Sequence, residues 1–203
     1  MTSGRTDWIM DYPEGATLLE PEEMEGLLFP HIQTRADLDQ MEQVNIQDGL
    51  IWLSRQKNPD VLSAAFLREL HRRLYGNVWA WAGEFRNTEK NIGVASEQIG
   101  VSLRNLLDDT RYRIEHGTYP PEEIALRFHH RLVQIHLFPN GNGRHARIAT
   151  DVLLKFVMKA EPIDWGSRHL QDAEQHRQEY IAALHSADAG DIQPLMDKFN
   201  RRE

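Results

Sequence analysis

Two apolar helical stripes, joined by a short break, constrain this chain more than any other feature. Ile124, Phe128, Leu132 and Ile135 recur at steps of four, four and three, which places them on one face of a helix. After a break from Leu137 to Gly143, a second segment from about Arg144 to Lys159 carries Ile148, Val152, Leu153, Phe156 and Val157. These apolar residues occupy most of the helix circumference, so this helix is expected to be central and buried.

The rest of the chain supplies helices to bury it. A short helix is expected near Pro21–Leu28, closed by Pro30. Thr34-Arg35-Ala36-Asp37 has the spacing of an N-terminal capping box, with a helix following to about Ser54. Asn58-Pro59 breaks the chain, and Leu67, Leu70 and Leu74 mark a helix from about Ser63 to Tyr75, stopped at Gly76. Ile99, Leu103, Leu106 and Ile114 mark another, which Gly117 ends, and Pro120-Pro121 opens the helix of the first stripe. Two more are expected near Asp172–Ala189 and Ile192–Asn200. Residues 77–95 differ in kind. Val78-Trp79-Ala80-Trp81 leads into Gly83-Glu84-Phe85-Arg86 and then Asn91-Ile92-Gly93-Val94, two Gly-flanked extended pieces that predict a small β-hairpin. The expected fold is therefore all-α with one short β-hairpin. Residues 1–62 read as a polar arm and N-terminal helices, and residues 63–203 as the main domain with its C-terminal helices.

Composition removes several functional classes. The chain of 203 residues has no Cys, which excludes a disulfide framework, a thiolate zinc site and a thiol nucleophile. Its 31 acidic against 23 basic residues give a charge of −8, which argues against direct nucleic-acid binding or an anionic membrane surface as partner. No apolar run approaches the roughly 20 residues that span a bilayer. The opening residues, MTSGRTDWIMDYPEG, lack the apolar core of a signal peptide. A cytoplasmic protein is the expectation, and a homo-oligomer is compatible with the sequence.

The chemistry concentrates in the break. Gly141 and Gly143 let backbone pass close to a ligand with no Cβ in the way. Their N–H groups lie where a long helix begins, and unpaired N–H groups together with the helix dipole make an anion site. Arg144 and Arg147, three apart, add two guanidinium forks suited to a polyphosphate. His136, just before the loop, is placed to act as a base. The bland alternative is a plain Gly/Asn-rich connection. The Gly-x-Gly-x-x-Ala pattern also matches half a dinucleotide fingerprint, but a helix precedes it where that motif requires a strand.

The stretch His136-Leu137-Phe138-Pro139-Asn140-Gly141-Asn142-Gly143-Arg144-His145-Ala146-Arg147 resembles the signature of the Fic (filamentation induced by cAMP) family, HxFx(D/E)GNGRxxR, at seven of its eight fixed positions. The layout from about Ser63 to Met196 is also similar to a Fic-type helical domain, and Glu42-Gln43-Val44-Asn45-Ile46 resembles the mobile mystery protein B subgroup. The resemblance implies transfer of AMP from ATP to a Ser, Thr or Tyr hydroxyl of a target protein. It implies that His136 is the general base, that Phe138 anchors the loop, and that Gly141, Asn142, Gly143, Arg144 and Arg147 hold the phosphates. It places Asn140 at the position that usually carries an acidic Mg²⁺ ligand. A neutral carbonyl there should bind Mg²⁺ more weakly. Glu84, Arg86, Glu89 and Lys90 would decorate a flap that pairs with an extended target segment. The family's inhibitory pattern, (S/T)xxxE(G/N), is not matched in full, and Glu42, on the helix before the domain, is the candidate for its Glu, as partner of Arg147.

Two other classes stay open from the residues. One is a nucleotide-binding regulatory or toxin-like protein with little transfer activity, weakened at Asn140. The other is a metal-dependent hydrolase drawing on the ten His residues, although no His-Glu-x-x-His occurs. Trp79, Trp81 and Phe85 read as core packing before a stacking platform, and Arg68, Arg72 and Arg73 as a solvated face.

Overall fold

The computed structural model describes residues 17–29, 31–32, 34–166 and 173–199; the expected arm at 1–16 lies outside them. These residues form eight α-helices: α1 (Pro21–Met24), α2 (Arg35–Ser54), α3 (Ala64–Tyr75), α4 (Ile99–His116), α5 (Pro121–Ile135), α6 (Asn142–Val152), α7 (Ala173–Asp188) and α8 (Gln193–Phe199). Local chemistry sets several of the boundaries. The Thr34 side chain accepts the Asp37 N–H at 3.1 Å to start α2, and Ser63 does the same for Phe66 at 3.1 Å at the start of α3. Gly117, at φ 55°, ends α4 in the left-handed conformation that glycine adopts without strain.

The first stripe converges as expected, and of the second Val152 and Leu153 are buried, Ile148 and Phe156 partly so, and Val157 is exposed. Leu67, Leu70 and Leu74 of α3, Phe128, Leu132 and Ile135 of α5, and Ala146, Ala149 and Val152 of α6 join one buried cluster with Leu38 and Ile46 of α2 and Ile99, Leu103 and Leu106 of α4. Helix α6 sits at its centre, packed on both α3 and α5. The expected long helix to Lys159 changes character at Val152. A π-helical stretch, Leu153–Met158, continues it, and Lys159, at φ 54°, stops it. A second cluster, built on Leu126, Tyr180, Ala183 and Leu195, seats α7 and α8 against the other side of α5. No helix among the described residues is long and apolar enough to cross a membrane.

The expected β-hairpin is not there. Among the described residues no strand forms, and an isolated antiparallel bridge joins Leu27 to Trp79. The backbone N–H groups of Arg86 and Val94, one from each expected extended piece, bond to the signature loop and to the end of α5 instead of to each other. Arg86 N–H donates to the Leu137 carbonyl at 2.9 Å, and Val94 N–H reaches the Ile135 carbonyl at 3.4 Å. The Arg86 side chain, 3% exposed, completes the arrangement. Its Nε donates to the His136 carbonyl at 2.7 Å, one terminal nitrogen to Thr88 at 2.8 Å, and the other to the carbonyls of Val94 and Ile135. A buried guanidinium with its donors satisfied by carbonyls fixes a loop as firmly as a ladder would.

Candidate active site

The site forms where α5 stops and α6 starts. His136 is the residue that ends α5, at φ 59° and ψ 67°. A non-glycine residue in this region is uncommon. Here the conformation turns the chain out of the helix, and the Arg86 clamp on the His136 carbonyl holds it. The imidazole is 3% exposed. Its pKa is lowered to about 4, first by burial, then by the nearby Arg86 and Lys90 cations, with the Val133 carbonyl pulling the other way. At neutral pH the ring is therefore uncharged and able to accept a proton. Its Nε2 lies 3.1 Å from the Thr17 hydroxyl.

Phe138 is fully buried and stacks on His71 at 3.7 Å between centroids, with His145 edge-on at 5.1 Å. His71 ties three segments together. Its Nδ1 accepts the Gly83 N–H at 3.0 Å, so its Nε2–H donates to the Asn140 carbonyl at 3.0 Å. Burial holds its pKa well below the usual histidine value, so this neutral tautomer persists. No sequence pattern singles out His71, a lone His on a Leu-rich helix face.

The loop glycines differ in what they do. Gly141, at φ 76°, lies against the Tyr75 ring, where an added Cβ would come within 2.7 Å of the ring carbons. An added Cβ at Gly143 would meet no atom within 4 Å. Packing therefore demands glycine at 141, whereas at 143 it leaves room beside the first turn of α6. No side chain caps that helix, so its leading N–H groups remain available to an anion. The Asn142 side chain is engaged elsewhere. Its Nδ2 donates to the Phe138 carbonyl at 2.7 Å and its Oδ1 accepts the Phe138 N–H at 2.9 Å. Asn142 thus braces the loop through its side chain and can offer a ligand its backbone N–H.

The two arginines diverge. The Arg144 guanidinium lies 5.2 Å from the centroid of the Tyr75 ring and donates to the Glu42 carboxylate at 2.6 Å. Arg147 reaches instead toward the second cluster, 4.7 Å over Tyr180 and 5.9 Å over Trp165, with its buried Nε lacking a hydrogen-bond partner. Glu42 was expected to pair with Arg147; it meets Arg144. The reason is geometric: α2 packs on α3 beside the start of α6, and Arg147 is one turn further on, facing α7. Glu42 is 4% exposed, and its other oxygen accepts the Trp79 indole N–H at 2.8 Å.

The side chains expected on a docking flap separate into two pairs. Arg86 and Lys90 are inside: the Lys90 side chain is 1% exposed and bonds to Glu23 and to the Leu18 carbonyl at 2.8 Å. Glu84 and Glu89 are on the surface. Glu84 pairs with Arg68 and Arg72, and Glu89 accepts the Ser96 N–H at 2.8 Å, which lowers its pKa. The covered Glu23 carboxylate explains why a lysine next to exposed residues is itself covered: the ammonium is paired there and bonded to a carbonyl.

The donor set around the loop does not make a protein-held metal centre. Among the described residues no three His, Asp or Glu side chains converge. The His cluster is dispersed: His129 meets the Tyr180 hydroxyl at 2.9 Å, His130 meets Asp188 at 2.8 Å, and His145 donates to the Leu67 carbonyl at 2.9 Å. Asn140 Oδ1 accepts the Gly141 N–H at 2.6 Å, which leaves one further lone pair for a cation carried by a ligand.

Residues 61–154 match the family model of the Fic/DOC family. Protein adenylyltransferase fic-1 of Caenorhabditis elegans is 32% identical over 145 residues, covering 69% of this chain and 27% of that protein. Protein adenylyltransferase Fic of Aedes aegypti is 31% identical over 141 residues, 68% of this chain and 27% of that protein. This chain spans about a quarter of the length of these curated relatives. A solved fragment of Fic-1 from Caenorhabditis elegans superposes with a TM-score of 0.63 at 26% identity, covering 86% of this chain and 50% of that one. BepC of Bartonella tribocorum, a VirB-translocated effector solved with bound AMPPNP, gives a TM-score of 0.67 over 96% of this chain and 94% of its own, a likeness of fold at 18% identity.

Proposed function

The chain belongs to the Fic/DOC family, and we propose from that membership that it transfers AMP from ATP to a hydroxyl side chain, Ser, Thr or Tyr, of a protein. The observation that carries this reading is the neutral, buried His136 with Nε2 against a hydroxyl, beside an uncapped helix N-terminus. His136 takes the acceptor's proton as the oxygen attacks the α-phosphorus, and pyrophosphate leaves. A base whose pKa lies below working pH is in the unprotonated form it needs; general-base catalysis contributes roughly 10²–10⁴ in rate when the pKa lies near working pH. The N–H groups of Asn142, Gly143 and Arg144 hold the phosphates, with the Arg144 guanidinium once it leaves Glu42 and Arg147 once it turns from Tyr180 and Trp165. Phe138, His71 and Arg86 keep the loop and the base in register. The residues fit Mg²⁺ that arrives with the nucleotide, with Asn140 as a neutral oxygen ligand; bound there, the ion would offset phosphate charge.

A second reading, nucleotide binding with little transfer, is favoured by one observation. The Glu42–Arg144 pair at 2.6 Å occupies a guanidinium that the phosphates need. Incubating the full chain with Mg²⁺, α-labelled ATP and a cell lysate separates the two. Label on lysate proteins supports transfer. ATP binding without label on any protein supports the second reading.

A further inference from the structure

Away from the loop between α5 and α6, the described residues enclose a cavity of about 310 Å³ that the reaction above does not use. It lies between the start of α3 and one strip of α4, and Phe85 closes a third side. Ala64, Phe85, Leu103 and Leu107 give it apolar walls. Gly100, in the first turn of α4, leaves it open: a Cβ added there would meet no atom within 4 Å. A glycine inside a helix is unfavourable, and no described residue packs where its side chain would be.

The charges around the cavity do not cancel. Asp108 is held by Arg111 at 2.6 Å, and Arg111 also donates to the Leu62 carbonyl. Arg104 also lines the cavity, one turn beyond Gly100; it is exposed and makes no hydrogen bond or ion pair among the described residues. On a plain surface water alone would satisfy such a side chain. Here it stands beside apolar walls that enclose a ligand-sized space. Ligand pockets combine their parts in this way, with apolar walls for affinity and a single charged group for orientation.

We propose that this cavity binds a small monoanion: one aromatic ring on a short chain that ends in a carboxylate. The ring packs on Phe85, Leu103 and Leu107, and aromatic pairs favour an offset or edge-on contact. The carboxylate takes the Arg104 guanidinium fork. The volume stands at the lower end of the range of roughly 300–1,000 Å³ for ligand sites, which suits a single ring. Charge and apolar walls belong to one cavity, so a free small molecule satisfies both where a protein side chain would satisfy one. Phe85 links the cavity to the active site. Its ring lies 5.9 Å from that of Phe138, and the next residue, Arg86, holds the His136 carbonyl. An occupant therefore adds packing to a wall that supports the base.

The test uses the full-length chain and 3-phenylpropionate as probe, with its uncharged amide as control, in calorimetric and NMR titrations. The expected result is one site with a dissociation constant of about 1 mM or tighter, and shifted resonances at Phe85, Leu103 and Leu107. The amide should bind roughly three- to fivefold more weakly, the range for one exposed charge pair. Arg104→Gln should bring the acid down to the level of the amide and leave the amide unchanged. Gly100→Leu, whose Cβ enters open space and leaves the fold intact, should abolish binding of both. Absence of binding at several millimolar probe, equal binding of acid and amide, or unchanged binding in either variant overturns the proposal, as do shifts confined to other residues. A blocked peptide with Phe beside Asp that binds more tightly than the free acid also overturns it and assigns the cavity to a protein partner. No transfer is measured, so every outcome is independent of the transferase reading.

Discussion

Replacing Glu42 by Gln isolates the contact that, on the proposed function, holds Arg144 away from a phosphate. Glu42 makes two side-chain bonds, one to the Trp79 indole at 2.8 Å and one to Arg144 at 2.6 Å. A carboxamide keeps an oxygen for the indole and removes the charge that binds the guanidinium. The Arg144 side chain is 40% exposed, so water can take over its hydration and the fold survives. The cost is the loss of one charge-assisted bond, about 1.5–3 kcal/mol. The same bond no longer has to break when a phosphate arrives. If Arg144 reaches the nucleotide, most of that energy reappears in binding, at tenfold for each 1.4 kcal/mol, so ATP should bind roughly 10- to 100-fold more tightly. Calorimetric titration of ATP with Mg²⁺, paired with thermal melts of both proteins, measures the two sides. Transfer to protein should rise with affinity. Glu42→Gly differs in kind, because it leaves the buried Trp79 N–H unpaired, a further cost of about 1–3 kcal/mol. A folded Gln variant whose ATP affinity is unchanged or weaker refutes the reasoning and reduces Glu42 to a packing residue.

Three further outcomes follow from buried charge and from the loop. His129, His136 and His145, with pKa values of about 3, 4 and 4, and His71, held well below 6.5, stay neutral when folded. The unfolded chain binds up to four protons there as pH falls below 6.5, while Asp151, pushed up to about 6 by burial, returns one to the folded side. Stability should therefore drop by about 4 kcal/mol per pH unit below roughly pH 6, visible as a collapsing urea midpoint; a midpoint flat to pH 4.5 contradicts the burial of these rings. Lys90→Met removes a cation that helps depress His136, so its pKa rises and the acid limb of the rate–pH profile moves to higher pH. An unmoved limb means that the Lys90 charge does not reach the imidazole. Asn140→Asp adds a charged oxygen and should lower the Mg²⁺ needed for half-maximal activity; an unchanged requirement places Asn140 away from the cation.

The helices were legible because periodicity reports burial directly: Leu67, Leu70 and Leu74, or Phe128, Leu132 and Ile135, need one partner surface and obtain it. The loop was legible because Gly141 and Gly143 stand where a helix begins. Residues 77–95 were misread for a physical reason. Extended, Gly-flanked segments look alike whether their partner is a neighbouring strand or a distant loop. Only the fold shows that Arg86 supplies the partner, by binding the carbonyls around His136. The same limit hid His71 and Thr17. Each acts through a contact more than sixty residues away along the chain, and neither carries a local pattern. Arg144 and Arg147 looked equivalent because spacing reports neighbouring positions on a helix. The diverging paths of their side chains depend on what packs at either end, Glu42 and Tyr75 for one and Tyr180 and Trp165 for the other.

The central claim is that His136 serves as the base for adenylyl transfer, and His136→Ala tests it most directly when binding and transfer are measured on the same sample. In the proposed reaction the imidazole meets the acceptor hydroxyl and little of the nucleotide, so the account predicts ATP affinity close to that of the wild type together with transfer reduced by roughly 10²–10⁴. A folded His136→Ala protein that still transfers AMP at the wild-type rate contradicts it.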